Sequence, residues 1–75
     1  MALKAYKPSE EFRWFSQHRL ELSQKYLGKH IAIIGHEVAG HSQDPREAYR
    51  QAKQKYPDRE PLLAYIPEAE GYLVL

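Results

Sequence analysis

Gly28-Lys29-His30-Ile31-Ala32-Ile33-Ile34-Gly35-His36-Glu37-Val38-Ala39-Gly40-His41 is the stretch on which the fold turns. Two runs carrying isoleucine and valine flank Gly35-His36, a two-residue connection with glycine first, which is the composition of a type II′ hairpin turn. A hairpin closed there has a defined register. Ile34 opposes Glu37, Ile33 opposes Val38, Ala32 opposes Ala39, Ile31 opposes Gly40 and His30 opposes His41. Side chains alternate between faces, so Ile31, Ile33 and Val38 share the core face, while His30, Ala32, Ala39 and His41 share the other.

Working outward, Asp44-Pro45-Arg46-Glu47 is a strong helix start, with Asp44 as N-cap, Pro45 at the first helical position and Glu47 placed to complete a capping box. The helix should run to about Tyr56 and bury Ala48, Tyr49, Ala52 and Tyr56. Pro57 to Pro61 is a proline-bracketed loop. Leu62-Leu63-Ala64-Tyr65-Ile66 then reads as a strand closed by Pro67, and residues 68–75 as a tail or a fourth strand. On the other side of the hairpin, residues 1–8 form a lead, and Ser9 caps a helix whose first turn carries Glu10 and Glu11. Phe12, Phe15, Leu22 and Tyr26 give it an apolar ridge that ends at Gly28 and is interrupted at Arg19, with Trp14 off the main stripe. The order α-β-β-α-β predicts an α+β two-layer sandwich, helices on one face of a small, mainly antiparallel sheet, as a single domain over residues 1–75.

Size and composition narrow the function classes. A chain of 75 residues leaves no room for a second domain of usual size, and its small core supplies only a few kcal/mol unless something assists it. Disulfides are excluded by the absence of cysteine. At 43% hydrophobic and 12% aromatic the chain should fold. It has no apolar run near the ~20 residues of a membrane span and no signal-like leader, from which a cytoplasmic location is the expectation. A net charge of +1 gives no overall field to attract nucleic acid or anionic lipid.

Trp14, Leu22, Tyr26-Leu27-Gly28-Lys29, Ile31-Ala32-Ile33, Val38, Gly40-His41, Asp44, Ala52-Lys53, Leu62-Leu63 and Tyr65-Ile66-Pro67 form a combined pattern over roughly residues 10 to 67. It resembles a family of short, uncharacterised prokaryotic domains of unknown function. That resemblance implies no activity and no site residues. The layout of hairpin, helix and strand is also similar to that of HicB-type antitoxin domains, a fold-level likeness that says little about function.

No catalytic apparatus is apparent, and no catalytic or cofactor-binding residues are assigned. His36-Glu37-Val38-Ala39-Gly40-His41 approaches the zinc-protease pattern, but its histidines are five apart instead of four, so neither a helix nor a strand presents both on one face. His41, Ser42 and Asp44 are too close in sequence for a hydrolytic triad. His30 and His41 are the weak metal candidates: the expected register sets their Cβ atoms about 5 Å apart, with Asp44 or His18 as a further ligand. Arg46, Arg50 and Lys53 stack at helical spacing as a weak phosphate-binding stripe.

Interaction is the better-supported expectation. With six tyrosines and one tryptophan, the fold has a large allotment of the residues that fill interface cores. The strand of Leu63 and Tyr65 is apolar on both sides, and Tyr72, Leu73 and Leu75 add apolar area. With Trp14, these are the candidate interface residues of an oligomerising or partner-binding module without catalysis, most simply a homodimer. The alternatives are an antitoxin-like or nucleic-acid-associated regulator and a small metal-binding protein using His30 and His41.

Overall fold

A computed structural model describes residues 9–68. Its elements are α1 (Glu10–Gln17), α2 (Arg19–Lys25), β1 (His30–Ile34), β2 (Glu37–Ser42), α3 (Pro45–Lys55) and β3 (Leu62–Tyr65). The expected lead at residues 1–8, the tail or fourth strand, and the interface candidates Tyr72, Leu73 and Leu75 lie outside the described residues. β1 is central in a sheet of order β2-β1-β3 and antiparallel to both neighbours, so β2 and β3 run parallel to each other and are joined across β1 by α3.

The α+β class and the order of hairpin, helix and strand are as the sequence predicts; the layering is not. Ile31 and Ile33 pack with Leu22 and Ile66 under α1 and α2, whereas Ala32 and Ile34 pack with Ala48 and Ala52 under α3. The sheet is therefore covered on both faces instead of one. Alternation explains it: β1 places a fully apolar pair on each side, and each pair needs its own cover.

The first helix is also two. His18 leaves helical geometry at φ −115°, ψ 20°, and its Nδ1 lies 2.9 Å from the Trp14 carbonyl, which also accepts the His18 backbone N–H at 3.1 Å. The break re-aims the second half, so that Leu22 is buried and Arg19, the gap in the apolar ridge, faces water.

Gly35 adopts φ +63° and no other residue of the turn has positive φ, the sign pattern of the expected type II′ turn. Ile34↔Glu37 and Ile33↔Val38 pair as predicted. A bulge then inserts Ala39, giving Ala32↔Gly40, Ile31↔His41 and His30↔Ser42. The expected opposition of His30 and His41 is thus incorrect. The bulge sets Gly40 directly beneath α3, where a Cβ would stand 2.2 Å from the Ala48 carbonyl oxygen. Only glycine permits that approach.

α3 starts at Pro45 under an Asp44 cap that accepts the Arg46 N–H at 2.9 Å. The reciprocal half of the capping box is absent: Ser42 Oγ takes the Asp44 N–H, and Glu47 pairs with Arg50. Glu37 ties the hairpin to the end of α3 by accepting from Lys55 Nζ at 2.8 Å and Tyr56 Oη at 2.9 Å.

Glu11 performs the corresponding task for α1. Its Oε2 accepts the Gly35 N–H at 2.9 Å and lies 3.3 Å from Arg59 Nη2. The Gly35 N–H is the main reason its carboxyl sits below the ordinary 4.5, Arg59 adding to the effect and desolvation opposing it. A carboxylate depressed on folding stabilises the fold above its unfolded pKa, and that contribution vanishes as pH falls through the lower folded value. Glu11→Gln should remove about 1 kcal/mol at neutral pH. Urea midpoints followed from about pH 6 to about pH 3 should fall less in the variant than in the wild type. Parallel profiles would mean that Glu11 is not a stabilising carboxylate. Glu37, lowered chiefly by Lys55, and Asp44, lowered chiefly by the Arg46 N–H, titrate in both proteins and cancel in the comparison.

Candidate functional site

A sheet of three strands has two edges, and here they differ. On β2, antiparallel alternation points the backbone groups of Val38 and His41 outward. The His41 N–H is covered by Gln51 Oε1 at 3.0 Å, and the Ala39 bulge separates it from Val38. Bulges and covering groups are how sheets disable an edge.

Among the described residues β3 has no such cover. The Ile66 N–H donates to the Lys29 carbonyl at 2.9 Å and the Ile66 carbonyl accepts the Gly28 N–H at 2.8 Å, so the backbone groups of Ile66 face β1. By alternation, Ile31–Ala64 and Ile33–Leu62 are bonded pairs, and the N–H and C=O groups of Leu63 and Tyr65 point away from β1. Among the described residues nothing covers them. Their side chains are open too, 43% exposed for Leu63 and 51% for Tyr65. Both lie on the α3 side of the sheet, opposite Ala32 and His30, but α3 sits mainly over β2 and β1 and covers β3 least. His30 stacks on Tyr65 with ring centroids 4.7 Å apart and widens the aromatic surface.

Trp14 is elsewhere. It is half-buried against the cluster under α1 and α2, on the opposite face from Leu63 and Tyr65. Its ring stacks with His18 at 4.7 Å and with His36 at 6.4 Å. Beside it, a cleft of ≈ 340 Å³ runs between α2 and β2, with Tyr26 and Val38 in its wall. The sequence-derived interface set is therefore not one patch: the structure joins Leu63 with Tyr65 and separates Trp14 from them.

The metal candidates are dispersed. The bulge moves His41 to the α1–α2 side, where it rests on Tyr26 at 5.1 Å, while His30 stays on the α3 side and Asp44 is engaged as a helix cap. Among the described residues no three histidine or acidic side chains converge on a common point. In the basic stripe, Arg46 meets Asp44 at 3.5 Å, Arg50 meets Glu47, and Lys53 Nζ donates to the Arg59 carbonyl at 2.9 Å with Glu60 3.7 Å away. Glu11, Glu37 and Gln51, the side chains that shape the hairpin and its closed edge, carried no sequence signal, because each acts across more than ten residues of chain or against backbone.

Comparison with known proteins gives one match. A family model described as a family of unknown function (DUF5678) matches residues 21–69. The chain belongs to this family. The match begins within α2 and spans the hairpin, α3 and β3, and α1 precedes it. No curated protein and no solved structure matches the chain.

Proposed function

We propose that the domain is a non-catalytic interaction module that self-associates through β3. The observation that carries this is the coincidence, at Leu63 and Tyr65, of outward-pointing backbone groups and exposed apolar side chains on the uncovered edge. An unprotected edge strand is a template for another chain, and tyrosine and leucine beside it supply apolar area that only association removes from water. Self-association also assists a core that is small for independent stability. The two other readings gain less: the stripe of Arg46, Arg50 and Lys53 is largely neutralised by acids of its own chain, and His30 and His41 are on opposite faces.

Size exclusion with light scattering at micromolar concentration tests the proposal. The wild type is expected at about twice the 8.8 kDa chain mass, and Tyr65→Glu at the chain mass with an unchanged circular dichroism spectrum. A wild type that elutes at 8.8 kDa over the whole accessible concentration range would remove this function.

A further inference from the structure

We infer that two copies join β3 to β3 about a two-fold axis at Ala64, so that Leu63 of each faces Tyr65 of the other. The two three-stranded sheets then become one continuous sheet of order β2-β1-β3-β3-β1-β2. This rests on the self-association just proposed and adds its geometry.

Three features select this arrangement. First, the edge has few donors. Outward positions fall at every second residue, at 61, 63, 65 and 67, and Pro61 and Pro67 have no N–H. Only Leu63 and Tyr65 can donate. Pairing Leu63 with Tyr65 of the second copy satisfies both donors with acceptors inside Leu62–Tyr65; a shift of two residues either way needs carbonyls at Pro61 or Pro67, beyond the strand.

Second, charge does not oppose the contact. Leu62 to Ile66 contains no charged residue, whereas edge strands that avoid pairing usually carry one.

Third, the assembly closes. A head-to-tail chain of copies would need β3 to pair with β2, and the β2 edge is broken by the Ala39 bulge and covered at His41 by Gln51. With one open edge among the described residues of each copy, two-fold pairing is the arrangement that leaves none.

The register can be read chemically. At the axis, Ala64 faces its own copy in a non-hydrogen-bonded pair, where Cα atoms are about 4.5 Å apart, within disulfide reach. Leu63 faces its own copy only diagonally, roughly 7–8 Å away, beyond that reach. The chain has no cysteine, so single-cysteine variants are clean probes. Ala64→Cys is expected to oxidise to a covalent dimer and Leu63→Cys to remain reduced under the same conditions. Leu63→Pro removes an outward N–H that no described residue uses, and edge strands tolerate proline there. It should keep the wild-type circular dichroism spectrum and raise the dimer dissociation constant at least about 30-fold, since a donor is lost on each side of the axis.

The outcomes separate the two proposals. A wild type that is dimeric by light scattering, with Ala64→Cys folded yet uncrosslinked, or with Leu63→Pro dimerising as tightly as wild type, overturns the β3 register and leaves self-association standing. Equal cross-linking by Leu63→Cys overturns it likewise. If Ala64→Cys fails to fold, the dissociation constant of Leu63→Pro decides. A monomeric wild type removes both proposals.

Discussion

Gly40→Ala is expected to lower the melting temperature by roughly 12–24 °C, the equivalent of about 3 kcal/mol in a domain this small. The added methyl would stand 2.2 Å from the Ala48 carbonyl oxygen, 2.9 Å from the Gln51 Cβ and 3.0 Å from the Ala52 N. Two of those atoms are backbone, so no rotamer change relieves the contact and α3 must lift from the sheet. Lifting it opens the seam that Ala48 and Ala52 make with Ala32 and Ile34. Gly35→Ala is the control. Nothing lies within 4 Å of a Cβ at Gly35, and its φ of +63° alone sets the cost, about 1 kcal/mol. Thermal unfolding by circular dichroism ranks the two, and a Gly40→Ala variant no less stable than Gly35→Ala would show that α3 is not held at backbone distance from β2.

Ile33→Ala should be comparably damaging. Ile33 is fully buried in the other half of the core, among Leu22, Ile31 and Ile66, and removing its outer carbons leaves a void that the small surrounding cluster cannot refill. The expected loss is about 4 kcal/mol. A domain of this size holds roughly 4–11 kcal/mol in total, so the variant would keep only about 0–7 kcal/mol in water at room temperature. Leu63→Ala removes a residue of similar size from the open edge and should change stability by less than about 0.5 kcal/mol at concentrations where association is negligible. Urea denaturation of both variants checks this. Similar midpoints would mean either that Ile33 is not at the centre of the core or that Leu63 is not at its margin.

Parity explains how much of the candidate site was legible. That Leu63 and Tyr65 share a side follows from alternation along β3, and both were marked as interface residues from sequence. That β3 is an edge, and the open one, does not follow, because it depends on where α3 comes to rest and on a glutamine ten residues from His41 reaching the edge of β2. Trp14 is a candidate for a different reason, as an aromatic off the apolar stripe of the first helix, and it belongs to another surface, since aromatic content says nothing about which face a ring occupies. His30 and His41 were paired by an unbroken register, and one inserted residue separated them.

Local chemistry was sufficient for the elements. Glycine at the turn, Asp44-Pro45 at a helix start, prolines around Leu62–Tyr65 and the periodicity of apolar residues act within a few positions, and they specify the hairpin, α3 and β3 with little help from the rest of the chain. Tertiary packing decided the rest. His18 breaks the first helix, where its backbone N–H and its ring nitrogen both meet the Trp14 carbonyl at the end of α1. Ala39 bulges so that Gly40, the one residue without a side chain, lies under α3. The bulge depends on the contact of β2 with α3, and the break on how the second half of the helix packs against the sheet; pattern within a segment carries no record of either.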